Sequence, residues 1–219
     1  MGVVAMNSHE ELLAEWRRRP RHAGATFVAD GAIDPARWGR VKKVLFLLKE
    51  AYGEAEDGGD WDLRTAILNE WTGPKYSIWH TAAALSYLCQ RAHGTSKPPF
   101  PPREENVDVL REALFASAAV NIKKSGGASA SVEEDVAVYA REDGDLISRQ
   151  VQLLAPHIVI CGGTWGFTEA IGLKAVQIGR RLWRGGGTYY VEFWHPSYRV
   201  PREMMYDALW GIHAETPFL

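Results

Sequence analysis

The sequence predicts an α/β fold: a three-layer α/β/α sandwich around a short, mostly parallel four-stranded sheet. Three observations carry this. Four strand-like runs alternate with helical patterns along the chain, the signature of parallel strands joined by crossover helices. The first run, residues 41–48, is continuously apolar after two lysines, as befits a strand buried on both faces. No Pro-rich or Gly-rich linker divides the 219 residues, so one domain is expected, with residues 1–40 as a helical extension and 41–213 as the core.

The elements follow in order. Ser8 and Glu11 form a capping box ahead of an apolar face of Leu12, Leu13 and Trp16, predicting a first helix. Residues 41–48 are the first strand. Residues 61–71 and 76–91 read as helices, the second with Ile78, Ala82, Leu85 and Leu88 at helical spacing. Four prolines make residues 95–103 a loop, and 107–114 a short helix. Residues 115–122 are the second strand, ending in Asn121, and 123–130 a Gly/Ser loop. Ser131 and Glu134 form a second capping box, starting a helix that runs to about 154 and stops at Pro156. Residues 157–161 are the third strand, followed by Gly162-Gly163-Thr164 and a helix. Residues 188–193 are the fourth strand, then His195-Pro196-Ser197, and a last helix from about 202 to 212.

Composition removes several function classes. Two cysteines, Cys89 and Cys161, exclude a disulfide framework and any four-cysteine zinc or iron–sulfur site. Both sit in apolar patterns and read as buried thiols of a cytoplasmic protein. No histidine spacing suits a metal, so no metal and no cofactor are expected. No apolar run approaches the ~20 residues of a membrane span, and no signal peptide is apparent. Net charge is −2, so bulk charge does not mark a nucleic-acid binder. The charge is uneven, however. Arg180, Arg181, Arg184, Arg199 and Arg202 stand against the single acid Glu192 between residues 178 and 202, and Arg17–Arg21 is a second basic patch. Nine tryptophans suit a large core or stacking surfaces for flat ligands.

In such sheets ligands sit at the carboxyl ends of the strands. Four strand ends carry the most polar segments. At the first, Lys49-Glu50-Ala51-Tyr52-Gly53 offers Glu50 to orient a water and Tyr52 to stack on a base. At the second, Asn121 carries both a donor and an acceptor, as needed to read a base edge. Lys123 and Lys124 there are candidates for phosphate contacts, with Ser125-Gly126-Gly127 exposing backbone N–H groups; a solvated turn is the plainer reading. The third, Gly162-Gly163-Thr164, opens an expected helix whose start would hold a phosphate, or is merely a tight turn. At the fourth, Pro196 holds His195 extended, poised to donate to an anion with Ser197 beside it; alternatively Ser197 caps the last helix.

The order of these segments resembles the uracil-DNA glycosylase superfamily. That family has a Gly-Gln-Asp-Pro-Tyr-His or Gly-Glu-Ala-Pro-Gly motif after its first strand, an asparagine at a central strand end, and His-Pro-Ser after its last strand. Lys49-Glu50-Ala51-Tyr52-Gly53, Asn121 and His195-Pro196-Ser197 are similar to these, with Lys49 in place of the first glycine and Tyr52 in place of the proline. The resemblance covers about residues 42 to 205. It implies a DNA partner and a nucleotide flipped into a pocket. By the same resemblance Asn121, with Tyr52 and Lys49, would contact the base, Glu50 would assist water attack, and His195 would stabilise the departing base. Ser197, Tyr198 and Arg199 would hold flanking phosphates, and Trp61 or Trp79 would stack. A non-catalytic binder of nucleic acid or a modified nucleotide is the alternative.

Overall fold

A computed structural model describes residues 2–52, 58–71, 77–102, 105–127 and 131–219. Its main sheet has seven strands in the order β2-β5-β3-β6-β9-β8-β7. These are β2 (Gly31–Ala32), β3 (Val44–Tyr52), β5 (Ala118–Gly127), β6 (Ile158–Gly162), β7 (Val176–Gly179), β8 (Leu182–Gly185) and β9 (Thr188–Phe193). A separate parallel pair joins β1 (Val28–Ala29) to β4 (Trp61–Asp62).

The four expected strands are β3, β5, β6 and β9, and they pair in parallel as a continuous centre. The expectation of a four-stranded sheet is corrected at both edges. β2 adds antiparallel to β5 at one edge, and the β7–β8 hairpin adds antiparallel to β9 at the other, making a mixed sheet. The hairpin occupies chain expected to be helical after Thr164, where only a 3₁₀ turn, Trp165–Phe167, forms. Arg181 takes a positive φ of 57° in the hairpin turn, and Gly186 and Gly187, at φ 59° and 86°, turn β8 into β9.

Residues 44–48 of β3 are all buried, and alternate side chains enter two different cores, which fixes the layers. Val44, Phe46 and Leu48 pack into one core with α2 (Leu63–Glu70), α3 (Ser77–Arg91), α4 (Val107–Phe115) and α7 (Arg202–Glu215). Leu45 and Leu47 pack into a second core with α1 (Gly2–Arg17), α5 (Glu133–Glu142) and α6 (Gly144–Leu154). The sheet is thus covered by helices on both faces. Residues 1–40 contribute β2 to the sheet and Leu12, Leu13 and Trp16 to the second core, so this segment is part of the packed body.

Two capping boxes do not form as read. Ser8 lies inside α1, and α5 starts after Val132 with no side-chain cap. The helix expected from Ser131 to 154 is two helices, broken at Asp143. That carboxylate is buried and ion-paired to Arg19, with His22 within hydrogen-bond distance.

The chain visits the parallel strands as β3, β5, β6, β9 but arranges them β5-β3-β6-β9. The order therefore reverses between β3 and β6, and their carboxyl ends open a crevice at that switch point.

Candidate functional site

Three strand ends converge on the crevice. Lys49 comes from β3, Gly163 follows β6, and His195 follows β9. Gly163 has φ +67° and no side chain, and a Cβ placed there would lie 3.6–3.7 Å from Tyr198 Oη, His195 Cβ and Lys49 Cε. Three polar side chains therefore gather over the glycine, at van der Waals range of the space a side chain would fill there. The neighbouring Gly162 is packed against Leu48 and Pro196, which seats the His-Pro turn on the end of β6.

His195 is held in one tautomer. Its Nδ1 accepts the backbone N–H of Ser197 (3.3 Å) and lies 2.7 Å from Ser197 Oγ. A ring nitrogen that accepts a backbone N–H carries no proton, so the proton of the neutral ring is on Nε2. Burial pushes the imidazole down from 6.5 to about 4, and the positive charge of Lys49 acts in the same direction. His195 is thus a neutral Nε2–H donor at pH 7. Ser197 does not cap the last helix: α7 starts after Pro201 without a side-chain cap.

Lys49 Nζ donates to Glu133 Oε1 at 2.8 Å. The Lys49 side chain is 14 % exposed and that of Glu133 70 %. This contact holds the Glu133 carboxyl below its ordinary value. Tyr198 and Tyr52 are exposed, Tyr52 by 72 %, on the rim of the same end. Gly53, the last residue of the first motif, lies outside the described residues.

Glu50 is not a loop carboxylate. Its side chain is 5 % exposed, and Oε2 lies 3.1 Å from Lys123 Nζ. It fits because Gly127 has no Cβ; one would sit 2.6 Å from Glu50 Cγ and Cδ. Lys123 also donates to Asp135 at 2.5 Å. Burial opposes its charge, but Asp135 and Glu50 outweigh that and hold it above its ordinary value. Lys123 therefore acts within the site wall, not on an external phosphate.

Asn121 and Lys124 belong to a sealed polar cluster at the β5 edge. Asp30 Oδ2 accepts from the Asn121 backbone N–H (2.7 Å) and from Asn121 Nδ2 (3.2 Å). A carboxylate only accepts, so this orientation of the carboxamide is the sole one that avoids facing oxygens. Asn121 Oδ1 is then left buried with no partner. Lys124 Nζ is ion-paired to Asp30 Oδ1 and donates to Gln150 Oε1 at 3.0 Å, with Trp16 4.7 Å away. Lys124 is fully buried. Burial drives its pKa down, against the pull of Asp30.

Three expected contacts are therefore corrected. Lys124 cannot reach a phosphate, because its ammonium is enclosed by Asp30, Gln150 and Trp16. Thr164 is buried with its hydroxyl on the Leu47 carbonyl (2.8 Å), so it braces β6 against β3. Trp79 is a core residue of α3, leaving Trp61 the more accessible of the two stacking candidates. Gly162 and Gly163 shape the crevice, but no full helix opens there.

Arg180, Arg181, Arg184, Arg199 and Arg202 meet no carboxylate among the described residues. The Arg180–Arg181 turn lies at the carboxyl end of β9, since the Arg181 carbonyl accepts from Glu192 N, and Arg181 stands 5.9 Å over the Trp194 ring. Sequence reasoning missed two participants. Asp30 lies in an uninformative short segment, and Glu133 reads as a helix-start acid. A separate groove of about 640 Å³ lies at the opposite end of the sheet, bordered by Ala155, Pro156, His157 and Thr188. That is the amino end of the parallel strands, where ligands of such sheets do not sit.

No protein-family model matches this chain, and no curated protein matches its sequence. Among the described residues no helix is long and apolar enough to cross a membrane, and no cluster suits a metal ion.

Proposed function

We propose that the chain is a DNA glycosylase-like protein on a uracil-DNA glycosylase-like fold, which takes an extruded base into the crevice and hydrolyses its N-glycosidic bond. The observation that carries this reading is His195: a neutral imidazole with its proton on Nε2, fixed by Ser197 and standing beside Gly163 at the switch-point crevice. Such a donor stabilises charge that develops on a leaving group without first losing a proton of its own. When the C1′–N bond breaks, its electron pair passes to the base and Nε2–H donates to the oxygen that gains the charge. Water adds its hydroxyl to C1′, and its proton ends on the departing base. Arg180 and Arg181, at the carboxyl end of β9 and meeting no carboxylate among the described residues, suit a phosphate backbone.

A second reading, binding without hydrolysis, is favoured by Glu50. Its carboxylate is buried against Lys123, where an activating base would face water. The two readings separate in one assay. Base release is measured from uracil-containing single- and double-stranded oligonucleotides with wild type and His195→Ala. Excision predicts release that falls about 10²–10³-fold in His195→Ala with folding intact. Oligonucleotide binding without release in the wild type selects the second reading.

A further inference from the structure

The crevice holds one more cation than the chemistry above uses. Lys49 Cε, Tyr198 Oη and His195 Cβ all stand 3.6–3.7 Å from where a Cβ on Gly163 would lie, so these three side chains gather over the glycine. The three side chains bring an ammonium, a phenolic O–H and a neutral ring N–H, all of them donors to a negative oxygen. Within the described residues the only carboxylate on Lys49 is that of Glu133, reaching over from the start of α5. That carboxylate is largely exposed, whereas the lysine is not, so Glu133 can return to water and another anion can take its place on Lys49 at little cost.

We propose that Lys49, Tyr198 and His195 form an oxyanion subsite over Gly163, that Glu133 occupies its cation in the free protein, and that an anionic oxygen displaces Glu133 on binding. The oxygen comes from a phosphate group or from an ionised base; the subsite chemistry is the same. This rests on the crevice reading above for its place in a nucleotide site. It makes Lys49 a determinant of what is bound: a crevice that would otherwise take a neutral base is biased toward an anionic ligand.

The test follows the His195 ring resonances by NMR in the full chain. One arm titrates inorganic phosphate at neutral pH. Another titrates uracil at pH values below and above the ionisation of its ring N–H. Phosphate is expected to move the His195 resonances in wild type. Lys49→Gln should weaken that binding by about tenfold, the size of one charge-assisted hydrogen bond, and Lys49→Arg should retain most of it. Tyr198→Phe, at an exposed side chain, should weaken it severalfold. Glu133→Gln should tighten it, because the competing carboxylate is gone. Arg149→Gln, on the far side of α6, should leave it unchanged. If only ionised uracil binds, with the same pattern across variants, the oxygen is the base's. Three results overturn the proposal: no response to either anion, phosphate binding indifferent to Lys49→Gln and Tyr198→Phe, or weaker binding in Glu133→Gln. Base release that persists while both anions fail to bind rejects the subsite and leaves the glycosylase reading standing. Anion binding without base release does the reverse.

Discussion

Two polar clusters sit near the carboxyl ends of the parallel strands, and they differ in one respect that decides their roles. The cluster at the β5 edge joins Asp30, Lys124, Gln150 and Asn121 in mutual hydrogen bonds, and all four are buried. The cluster over Gly163 gathers Lys49, His195 and Tyr198, and among the described residues the lysine meets one carboxylate, the exposed Glu133. Lys49 and Lys124 look alike in sequence, each at the end of an apolar run. One is enclosed on every side and holds two edges of the fold together; the other has a donor to spare. Partners, not residue type, separate a structural ion from a ligand-binding one.

The largest expected effect lies at the sealed cluster. Asp30→Ala leaves Lys124 buried and unpaired, so stability should drop by about 3–5 kcal/mol, read as a lower urea midpoint. Lys49→Gln should stay within about 1 kcal/mol of wild type. Equal losses at the two sites would erase the distinction between them.

Next comes the acid response. His195, His9 and His157 are all held below their ordinary value, chiefly by burial. Between pH 6.5 and about 4 the unfolded chain therefore binds more protons than the folded one, and stability rises with pH through that window. It is full above 6.5 and is lost as pH falls toward 4. His195→Asn should flatten part of that limb in urea midpoints measured across the window. An unchanged limb would mean that the ring is not desolvated in its crevice.

The smallest effect compares the two basic regions. Arg17, Arg19 and Arg21 are paired to Asp60, Asp143, Asp145 and Glu142, whereas Arg181 and Arg199 meet no described carboxylate. Removing Arg181 or Arg199 should each reduce the salt slope of oligonucleotide binding by about 1, and removing Arg19 should leave it unchanged. A slope that falls with Arg19 and not with Arg199 would move the nucleic-acid face to the other patch.

Much of the fold was legible. The four parallel strands were visible because a strand covered on both faces must be apolar throughout, as residues 44–48 and 158–161 are. β5 was read five residues short, since Lys123, Lys124 and the following glycines look like a loop. They stay in the sheet because β3 also continues, pairing Glu50 with Lys123 and Tyr52 with Gly127 across a bulge. The β7–β8 hairpin escaped because Val176 and Ile178 face solvent, so the strand lacks a buried side to reveal it. Gly186-Gly187 before β9 was the available turn signal. At the site, the His-Pro-Ser segment and the two glycines were readable from their types and spacing. The enclosure of Lys124, the burial of Glu50 and the hydroxyl bond of Thr164 were not, since each depends on a residue far away along the chain: Asp30 for Lys124, Lys123 for Glu50 and Leu47 for Thr164.

By itself the sequence determined the alternating α/β pattern, the parallel centre and the polar strand ends, because local periodicity and strand burial are written in neighbouring residues. Only the tertiary structure decided which of those polar groups face a ligand. That choice depends on what the fold brings against each one: Asp30 against Lys124, Lys123 against Glu50, and the exposed Glu133 against Lys49. Removing a charge from water requires a partner, and the partner comes from elsewhere in the chain.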